Sequence, residues 1–347
     1  LSNPRSLCAV APHQDRTLPG QATEIRVQFA IITTPIKRAL RSGAGWLASH
    51  ASRNYIAGPR AEDAQRVSSI LASRGYSVTQ GYWDSPGDAR ELVLQACLTA
   101  VDNLAALPRE NYLSIKIPSL DYDDAAFGQL CERCRARAVA LHFDSLAPEH
   151  AERIWSFLAR HDALLGDDIG CTLPGRWPRS VGDVDIVTRL GLDVRVVKGQ
   201  WLDPEAPDHD ARQGYLDVIG RLAGAVPHVR VATHDHELAS ESIARLKRAG
   251  SDCELELLYG LPIDRLVDLA VSTQTPVRFY VAFGHAYLPY ALRSLLRNPR
   301  MILPLLRAAL TRNYQASIPD ISAPPPGKQG NRGDSDRGGD SDPNSVI

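Results

Sequence analysis

The sequence predicts a parallel (β/α)8 barrel of the TIM-like kind, with amino-terminal helices and disordered termini. Eight short runs rich in β-branched and aromatic residues recur along the chain, separated by stretches of helical periodicity. No hairpin turn signal joins successive runs, which favours parallel strands connected by helices. A doubly wound sheet is the alternative. The barrel is favoured because no glycine-rich phosphate loop follows an early strand.

The predicted strands follow directly from these runs. They cover Val78–Trp83, Tyr112–Ile117, Val139–Phe143, Gly170–Leu173, Val194–Val197, Val229–Thr233, Glu254–Leu258 and Arg278–Ala282. The clearest helical patterns between them cover Ala61–Arg74, Glu149–Leu158, Gln213–Leu222, Glu237–Ala249 and Ile263–Leu269.

The domain organisation follows from where this periodicity begins and ends. Residues 1–24 mix Pro, Gln, His and Gly without a period and predict a disordered segment. Residues 25–55 predict an amphipathic helical segment, and residues 56–315 the barrel. Residues 316–347 are rich in Pro, Gly, Asp and Ser towards the end and predict a disordered tail.

The composition is that of a globular protein and argues against several partners. Of 347 residues, 44% are hydrophobic and 23% charged, and the formal net charge is −1, so no global field indicates nucleic acid. No apolar run reaches the roughly 18–20 residues of a transmembrane helix, and no signal peptide is expected. Six scattered cysteines are typical of free thiols in a reducing compartment. We therefore expect a cytoplasmic protein and leave open a peripheral membrane position and a homo-oligomer.

Charged and aromatic residues near the strand ends are the candidates for chemistry, because barrel enzymes build their sites there. Lys116 lies in an otherwise apolar run. Since burying an unpaired charge is costly, it should face a polar cavity, with an edge or snorkelling lysine as the alternative. Arg195 and Lys198 lie on the fifth strand, and Gly199 allows close approach of the backbone. Tyr280 lies on the eighth strand.

The segment after the eighth strand adds a second group of candidates. Pro289 is typical of a helix start, and helical spacing then brings Tyr290 and Arg293 to one face. An arginine flanked by aromatic rings suits a small carboxylate that carries an aliphatic ring.

Two patterns resemble metal or redox motifs without completing them. His234 and His236 are two residues apart, but a metal site needs three or four convergent ligands and none is spaced to complete it, so no metal is predicted. Cys131 and Cys134 lie in a helical stretch without a second pair, which favours two ordinary thiols.

Several of these motifs together resemble the proline dehydrogenase family. The Tyr290-Ala-Leu-Arg293-Ser294 stretch is similar to a family signature of tyrosine, two spacers and two arginines. The other similar stretches are Asn54–Gly58, Ser114–Pro118, Val194–Trp201, Ala232–Asp235 and Glu254–Gly260. The resemblance covers roughly residues 25–312 and is strongest in the last four strands.

The resemblance implies non-covalently bound FAD and a set of site residues. It places Lys116, Arg195 and Tyr280 in the catalytic site. The implied substrate-binding residues are Lys116, His142, Leu258, Tyr280, Tyr290, Arg293 and Ser294. The implied cofactor-binding residues are Arg195, Lys198, Gly199, Gln200, Trp201, Thr233, His234, Asp235 and Glu254.

Three departures from the family pattern bear on the substrate. Ser294 stands where the second arginine is expected. His142 stands at the position of an aspartate, with Asp144 two residues on, and Pro174 at that of a glutamine. Losing an arginine from a desolvated charge contact typically costs ~2–5 kcal/mol. Proline and a modified substrate therefore remain nearly equal alternatives.

The implied reaction is hydride transfer from the carbon next to a secondary amine to flavin N5, which leaves an imine. The substrate would be proline-like, or a modified amine of a specialised biosynthetic pathway, and the electron acceptor a quinone or oxygen. The alternatives are oxidation of a non-proline amine or hydrazine by a remade pocket, or a flavin-free barrel with a binding or regulatory role.

Overall fold

A computed structural model describes residues 56–85, 87–161, 169–284 and 314–322 of the chain. The predicted helical segment over residues 25–55 lies outside the described residues. The same holds for Tyr290, Arg293 and Ser294. Within the described part, no helix is long and apolar enough to cross a membrane.

Eight parallel strands close into a barrel in sequence order, which confirms the predicted fold. The strands are β1 (Ser77–Trp83), β2 (Tyr112–Ile115), β3 (Ala140–Phe143), β4 (Ile169–Pro174), β5 (Asp193–Val197), β6 (His228–Ala232), β7 (Asp252–Leu258) and β8 (Val277–Gly284). Each overlaps its predicted run, and no strand end differs from the prediction by more than two residues.

Helices surround this barrel. They are α1 (Ala61–Ser73), α2 (Arg90–Ala105), α3 (Asp124–Arg137), α4 (Ala151–Arg160), α5 (Ser180–Arg189), α6 (Ala211–Leu222), α7 (His236–Arg248), α8 (Asp264–Thr273) and the short α9 (Tyr314–Ser317). Short 3-10 turns follow β2 at Ile117–Leu120 and β3 at Pro148–His150. The five predicted helices are confirmed, and the two cysteines Cys131 and Cys134 lie buried on α3.

Closure of the barrel depends on the pairing of β1 with β8. The register runs from Ser77 opposite Arg278 to Trp83 opposite Gly284. Gly81 lies within this ladder, and a Cβ at that position would collide with the hydroxyl of Tyr280. Glycine is therefore required at position 81 for the Tyr280 side chain to cross towards the barrel axis.

Alternation along the strands separates an apolar outer layer from a polar interior. On β7, Leu255 and Leu257 are fully buried in the apolar core, whereas Glu254 and Glu256 bond to residues of other strands. Successive strand residues point to opposite faces, so the glutamates face the barrel axis and the leucines face the helices. Barrel interiors are usually filled with branched apolar side chains, and this one instead carries paired charges.

Residues 314–322 pack against the start of the barrel. Ile318 is 3% exposed, and Tyr76 donates a hydrogen bond to the carbonyl of Pro319 at 2.9 Å. The Arg74 guanidinium donates to the carbonyl of Ile318 at 2.9 Å, and the Ile321 N–H donates to the carbonyl of Arg74 at 3.0 Å. Contact with the barrel thus continues at least to residue 322, past the expected tail boundary at 316.

We predict that Ile318→Ala lowers the free energy of unfolding by about 2–5 kcal/mol, the usual cost of deleting a buried aliphatic side chain. Val271→Ala is the matched control because Val271 is 55% exposed; its effect should stay within about 0.5 kcal/mol. Urea unfolding curves of the two variants measure both values. Equal effects would contradict the packing of this segment.

Candidate active site

A cavity of about 290 Å³ lies at the carboxyl ends of the strands, and all eight strands border it. Parallel strands bring their carboxyl ends together at one rim, which is why residues far apart in sequence meet here. In strand order, the lining includes Trp83, Lys116, Asp144, Thr172, Arg195, Thr233, Glu256 and Tyr280.

Arg195 on β5 is the centre of this site. Its side chain is 4% exposed, and its guanidinium donates to Thr172 Oγ1 at 3.2 Å, Glu256 Oε1 at 3.1 Å and Ser114 Oγ at 3.0 Å. It also forms an ion pair with Asp144. Burial disfavours the charged form, but Glu256 and Asp144 outweigh that effect, so the pKa of Arg195 is raised and the side chain stays cationic.

The two carboxylates that pair with Arg195 each collect further donors. Glu256 accepts from Tyr112 at 2.6 Å and from Thr79 at 3.0 Å. Asp144 accepts from Ser114 at 2.7 Å and from Tyr280 at 3.1 Å. Neither carboxylate is left with a buried, unpaired charge, which is the condition for keeping such a cluster inside a protein.

Tyr280 acts as a neutral donor at the cavity wall. Burial and the nearby Asp144 carboxylate raise the pKa of Tyr280 well above its ordinary value, because both disfavour a phenolate. Its hydroxyl donates to Asp144 and accepts from the Trp83 indole N–H at 3.3 Å. The Arg195 guanidinium lies 5.2 Å from the centre of the Tyr280 ring.

Lys116 reaches the same cavity from the end of β2. Its ammonium donates to the carbonyl of Tyr82 at 2.6 Å and lies 3.7 Å from Asp84 Oδ1, and the side chain is 9% exposed. Lys116 therefore lines a cavity, as expected. Its contacts with Tyr82 on β1 and with Asp84, just after β1, orient the side chain.

His234 ties the β6 and β7 ends together. Its Nε2 accepts the Leu258 N–H at 2.9 Å, so Nδ1 carries the proton and donates to the carbonyl of Pro262 at 3.2 Å. Burial lowers the pKa of His234 to about 4, because removal of water disfavours the imidazolium. The ring borders the cavity as a neutral group with both nitrogens engaged.

Lys198 and Asp235 pair with each other beside the cavity. The lysine Nζ lies 2.8 Å from Asp235 Oδ2, and its side chain is 41% exposed. Arg212 contacts the same carboxylate oxygen at 3.4 Å, and the other oxygen caps α7 through the Leu238 N–H. Neither Lys198 nor Asp235 belongs to the described cavity lining.

The loop after β5 forms one wall of the cavity. Gly199 has a φ of +89°, and a Cβ there would lie 2.8 Å from that of Pro174. Arg176 donates to the carbonyl of Gly199, and Trp177 to that of Trp201, each at 2.9 Å. The Trp177 indole is thus held in place, and Trp177 and Trp201 both line the cavity.

The sequence candidates divide into those that meet in this cavity and those that do not. Lys116, Arg195, Tyr280 and Leu258 converge there, together with Gly199, Gln200, Trp201, Thr233 and His234. His142 and Glu254 lie in the amino-terminal half of the barrel. His142 contacts Thr172 at 2.9 Å, and Glu254 pairs with Arg278 at 2.7 Å. Asp144 and Glu256, two residues further along the same strands, border the cavity instead.

Sequence reasoning left Asp144, Glu256 and Trp83 out of the site. Each had a signal. Trp83 and Asp144 end or directly follow a predicted strand, where barrel enzymes place functional groups. Glu256 shares a strand face with Glu254 and lies closer to the carboxyl end.

A comparison of sequences shows which kind of protein this chain is similar to. A curated proline dehydrogenase from Deinococcus radiodurans is 26% identical over 271 residues, which cover 72% of this chain and 86% of that protein. The chain is thus similar to a proline dehydrogenase over most of its length. No family model matches it.

Solved structures are similar to this chain in fold. Proline utilization A from Bdellovibrio bacteriovorus superposes with a TM-score of 0.59 at 15% identity, over 81% of this chain and 35% of that one. Proline utilization A from Corynebacterium freiburgense gives 0.55 at 17%, over 88% and 37%. The chain thus spans about a third of these larger proteins, and at such identities the likeness shows the barrel fold alone.

The half-buried His234 predicts a pH-dependent stability. The folded pKa of about 4 lies below the ordinary 6.5, so between these values the unfolded chain binds a proton that the folded protein does not. Stability should fall as the pH drops through this window. The gap in unfolding free energy between wild type and His234→Gln should be largest near pH 7 and narrow towards pH 4. Urea unfolding at four pH values tests this, and a constant gap would refute the buried neutral ring.

Proposed function

We propose that this protein is an FAD-dependent dehydrogenase that oxidises a small cyclic secondary amine bearing a carboxylate, proline or a close analogue. The observation that carries the proposal is the convergence of Lys116, Arg195, Leu258 and Tyr280 on one cavity at the carboxyl rim. The similarity to a proline dehydrogenase supports the same class of reaction. A cavity of about 290 Å³ is adequate for a substrate of this size.

The β5 loop and the β6 end are the parts that would hold FAD. Gly199, Gln200, Trp201 and Thr233 border the cavity together, and this shared border supports placing the flavin against that wall. When bound, FAD would supply the acceptor for a hydride, which carries the two electrons of the oxidation. Arg195 would then stabilise negative charge that develops beside it, from a position already fixed by four partners.

The Lys116 ammonium would bind the substrate carboxylate. Its described contacts are one carbonyl oxygen and a carboxylate 3.7 Å away. Arg195, which also lines the cavity, pairs with two carboxylates. Leu258 supplies apolar surface beside the substrate ring. Arg293 is a further proposed carboxylate ligand, and Ser294 supports including substrates whose carboxylate is masked or displaced.

The amine would react in its neutral form. Asp144 and Glu256 both border the cavity, but each already accepts hydrogen bonds from Arg195, so neither is an uncommitted base. Orientation and charge placement are then the main contributions of the protein, and turnover should rise with pH as the free amine becomes more abundant.

A flavin-free binding protein is the competing function, and one contact favours it. Lys198, which the resemblance assigns to the cofactor, is paired with Asp235, and so is Arg212. Two cations suited to a diphosphate are thus engaged by a carboxylate.

The deciding experiment is an absorbance spectrum of the purified protein, followed by anaerobic addition of proline. Flavin bands that bleach with proline support the proposal. Flavin bands that bleach only with another cyclic amine would reassign the substrate. Protein that stays colourless after incubation with FAD would favour the binding protein.

Lys116→Met should raise the KM for the amine substrate by roughly 10- to 100-fold, because a hydrogen bond to a charged group contributes about 1.5–3 kcal/mol. The turnover number should change less, since the contact is made equally in ground and transition states. Lys247→Met is the control, as its ammonium contacts only the exposed end of α8 among the described residues. A fall in kcat at constant KM would assign Lys116 a role other than carboxylate binding.

Gly199→Ala should lower the flavin content of purified protein. The added methyl meets Pro174 and imposes a positive φ on alanine, which costs about 1–2 kcal/mol and shifts the wall of the proposed flavin site. Gly128→Ala on α3 is the matched control because no heavy atom lies within 4 Å of the new methyl. The ratio of flavin to protein absorbance measures the difference, and equal ratios would remove the β5 loop from the flavin site.

A further inference from the structure

A buried carboxylate, that of Glu256, lies beside the wall that would hold FAD. Glu256 borders the cavity of the candidate active site, and its side chain is 2% exposed. The strand register places it opposite Ala232 on β6, directly before Thr233. Ala232 and Thr233 line the same cavity, and Thr233 belongs to the proposed flavin wall. The charge of Glu256 therefore bears on the cofactor, if the proposed function holds.

Three donors hold Glu256 in its charged form. Arg195 Nη1 and the Thr79 hydroxyl donate to Oε1, at 3.1 and 3.0 Å, and the Tyr112 hydroxyl donates to Oε2 at 2.6 Å. A protonated carboxyl would present a proton where one of these hydrogen bonds now arrives, and a buried donor would lose its acceptor. The contacts therefore favour the carboxylate.

The charges around the cavity do not leave Arg195 in net positive surroundings. Among the described lining residues, the cations are Lys116 and Arg195, and the carboxylates are Asp144 and Glu256. Under the proposed function, Lys116 binds the substrate carboxylate. Arg195 is then paired with two carboxylates, so this ion cluster carries one net negative charge.

Glu256 is the less screened of the two carboxylates. Its side chain is 2% exposed, whereas that of Asp144 is 15% exposed. Water screens a buried charge less than one near the surface, so the interaction energy at a given distance is larger. At equal distance, the charge of Glu256 would therefore act more strongly than that of Asp144 on a bound cofactor.

A negative charge at this place opposes reduction of the flavin. In the proposed reaction, the neutral amine loses a hydride, which is one proton with two electrons. It becomes an iminium ion, which releases its N–H proton to give the imine. The flavin takes up the hydride and gains one negative charge. Cations nearby favour that gain and anions disfavour it, and the protein thereby sets the reduction potential of the cofactor.

We propose that Glu256 is a positioning residue that holds the Arg195 guanidinium and, by offsetting its charge, lowers the reduction potential of the bound flavin. The inference rests on the proposed function and adds to it. Arg195 without this partner would make the flavin a stronger oxidant of the amine. With Glu256 beside it, the reduced flavin more readily passes two electrons, with its own proton and one from solvent, to the acceptor, a quinone or oxygen.

The test is the reduction potential of the flavin in the purified holoprotein without substrate, measured by equilibration with a reference dye. Glu256→Gln keeps the shape and an oxygen acceptor for Arg195 but removes the charge. The equilibrium constant for flavin reduction should rise at least tenfold, a shift of about 30 mV for a two-electron couple. Asp183→Asn is the matched control, because Asp183 is 5% exposed and bonds to Arg179 at 2.9 Å but lies outside the described cavity lining. Its equilibrium constant should change less than threefold.

Thr79→Val tests the same charge without removing it. Valine lacks the hydroxyl that donates to Glu256, so the carboxylate keeps its pair with Arg195 while its charge is less offset. The potential should therefore fall, with an equilibrium constant for flavin reduction at least threefold below that of wild type. If Glu256 served only to hold Arg195 in place, both variants would loosen the guanidinium and shift the potential in the same direction.

The possible failures of the two proposals differ. Flavin-loaded Glu256→Gln with an unmoved or lowered potential would overturn the role of Glu256 and leave the proposed function standing. An unmoved or raised potential in Thr79→Val would do the same, and this variant decides the question if Glu256→Gln does not fold. Wild-type protein that binds no flavin would refute the proposed function and the role of Glu256 together.

Discussion

The buried pairing of Arg195 with Glu256 and Asp144 is the constraint on which the rest of this barrel depends. A guanidinium that is 4% exposed is stable only if acceptors surround it, and here they come from β2, β3, β4 and β7. Those strands must then present polar residues to the axis at the same height. The apolar residues between them are directed outwards to the helices, which produces the alternation seen along β5 and β7.

Tyr112 transmits this constraint to the other half of the barrel. Its hydroxyl donates to Glu256, and its ring centre lies 4.6 Å from the Arg230 guanidinium and 4.5 Å from that of Arg278. The charge network around Arg195 and the one around Glu254 therefore share one aromatic side chain. The ring also attracts both cations through its π face, while the Glu254 carboxylate that both arginines contact offsets their positive charge.

His142 and Glu254 were predicted to belong to the site, but each lies one layer of side chains below the cavity. Alternation along β7 identifies Glu254 and Glu256 as inward facing, but it does not say which of them reaches the cavity. The pairings of β7 with β6 and β8 decide that. They place Glu256 at the rim and Glu254 beside Arg230 and Arg278. The same two-residue step separates His142, which lies on β3, from Asp144, which directly follows that strand. Strand register is a long-range property, so local sequence cannot supply it.

The sequence by itself determined the eight strands, their parallel arrangement and the meeting of Lys116, Arg195, Leu258 and Tyr280, because hydrophobic period and strand ends are local properties. Only the tertiary structure decided how the charges pair. The resemblance assigns Lys198 to the cofactor, yet Asp235, 37 positions away, pairs with it. Arg230 on β6 and Arg278 on β8 likewise both pair with Glu254 on β7, because closure of the barrel brings these strands around one axis.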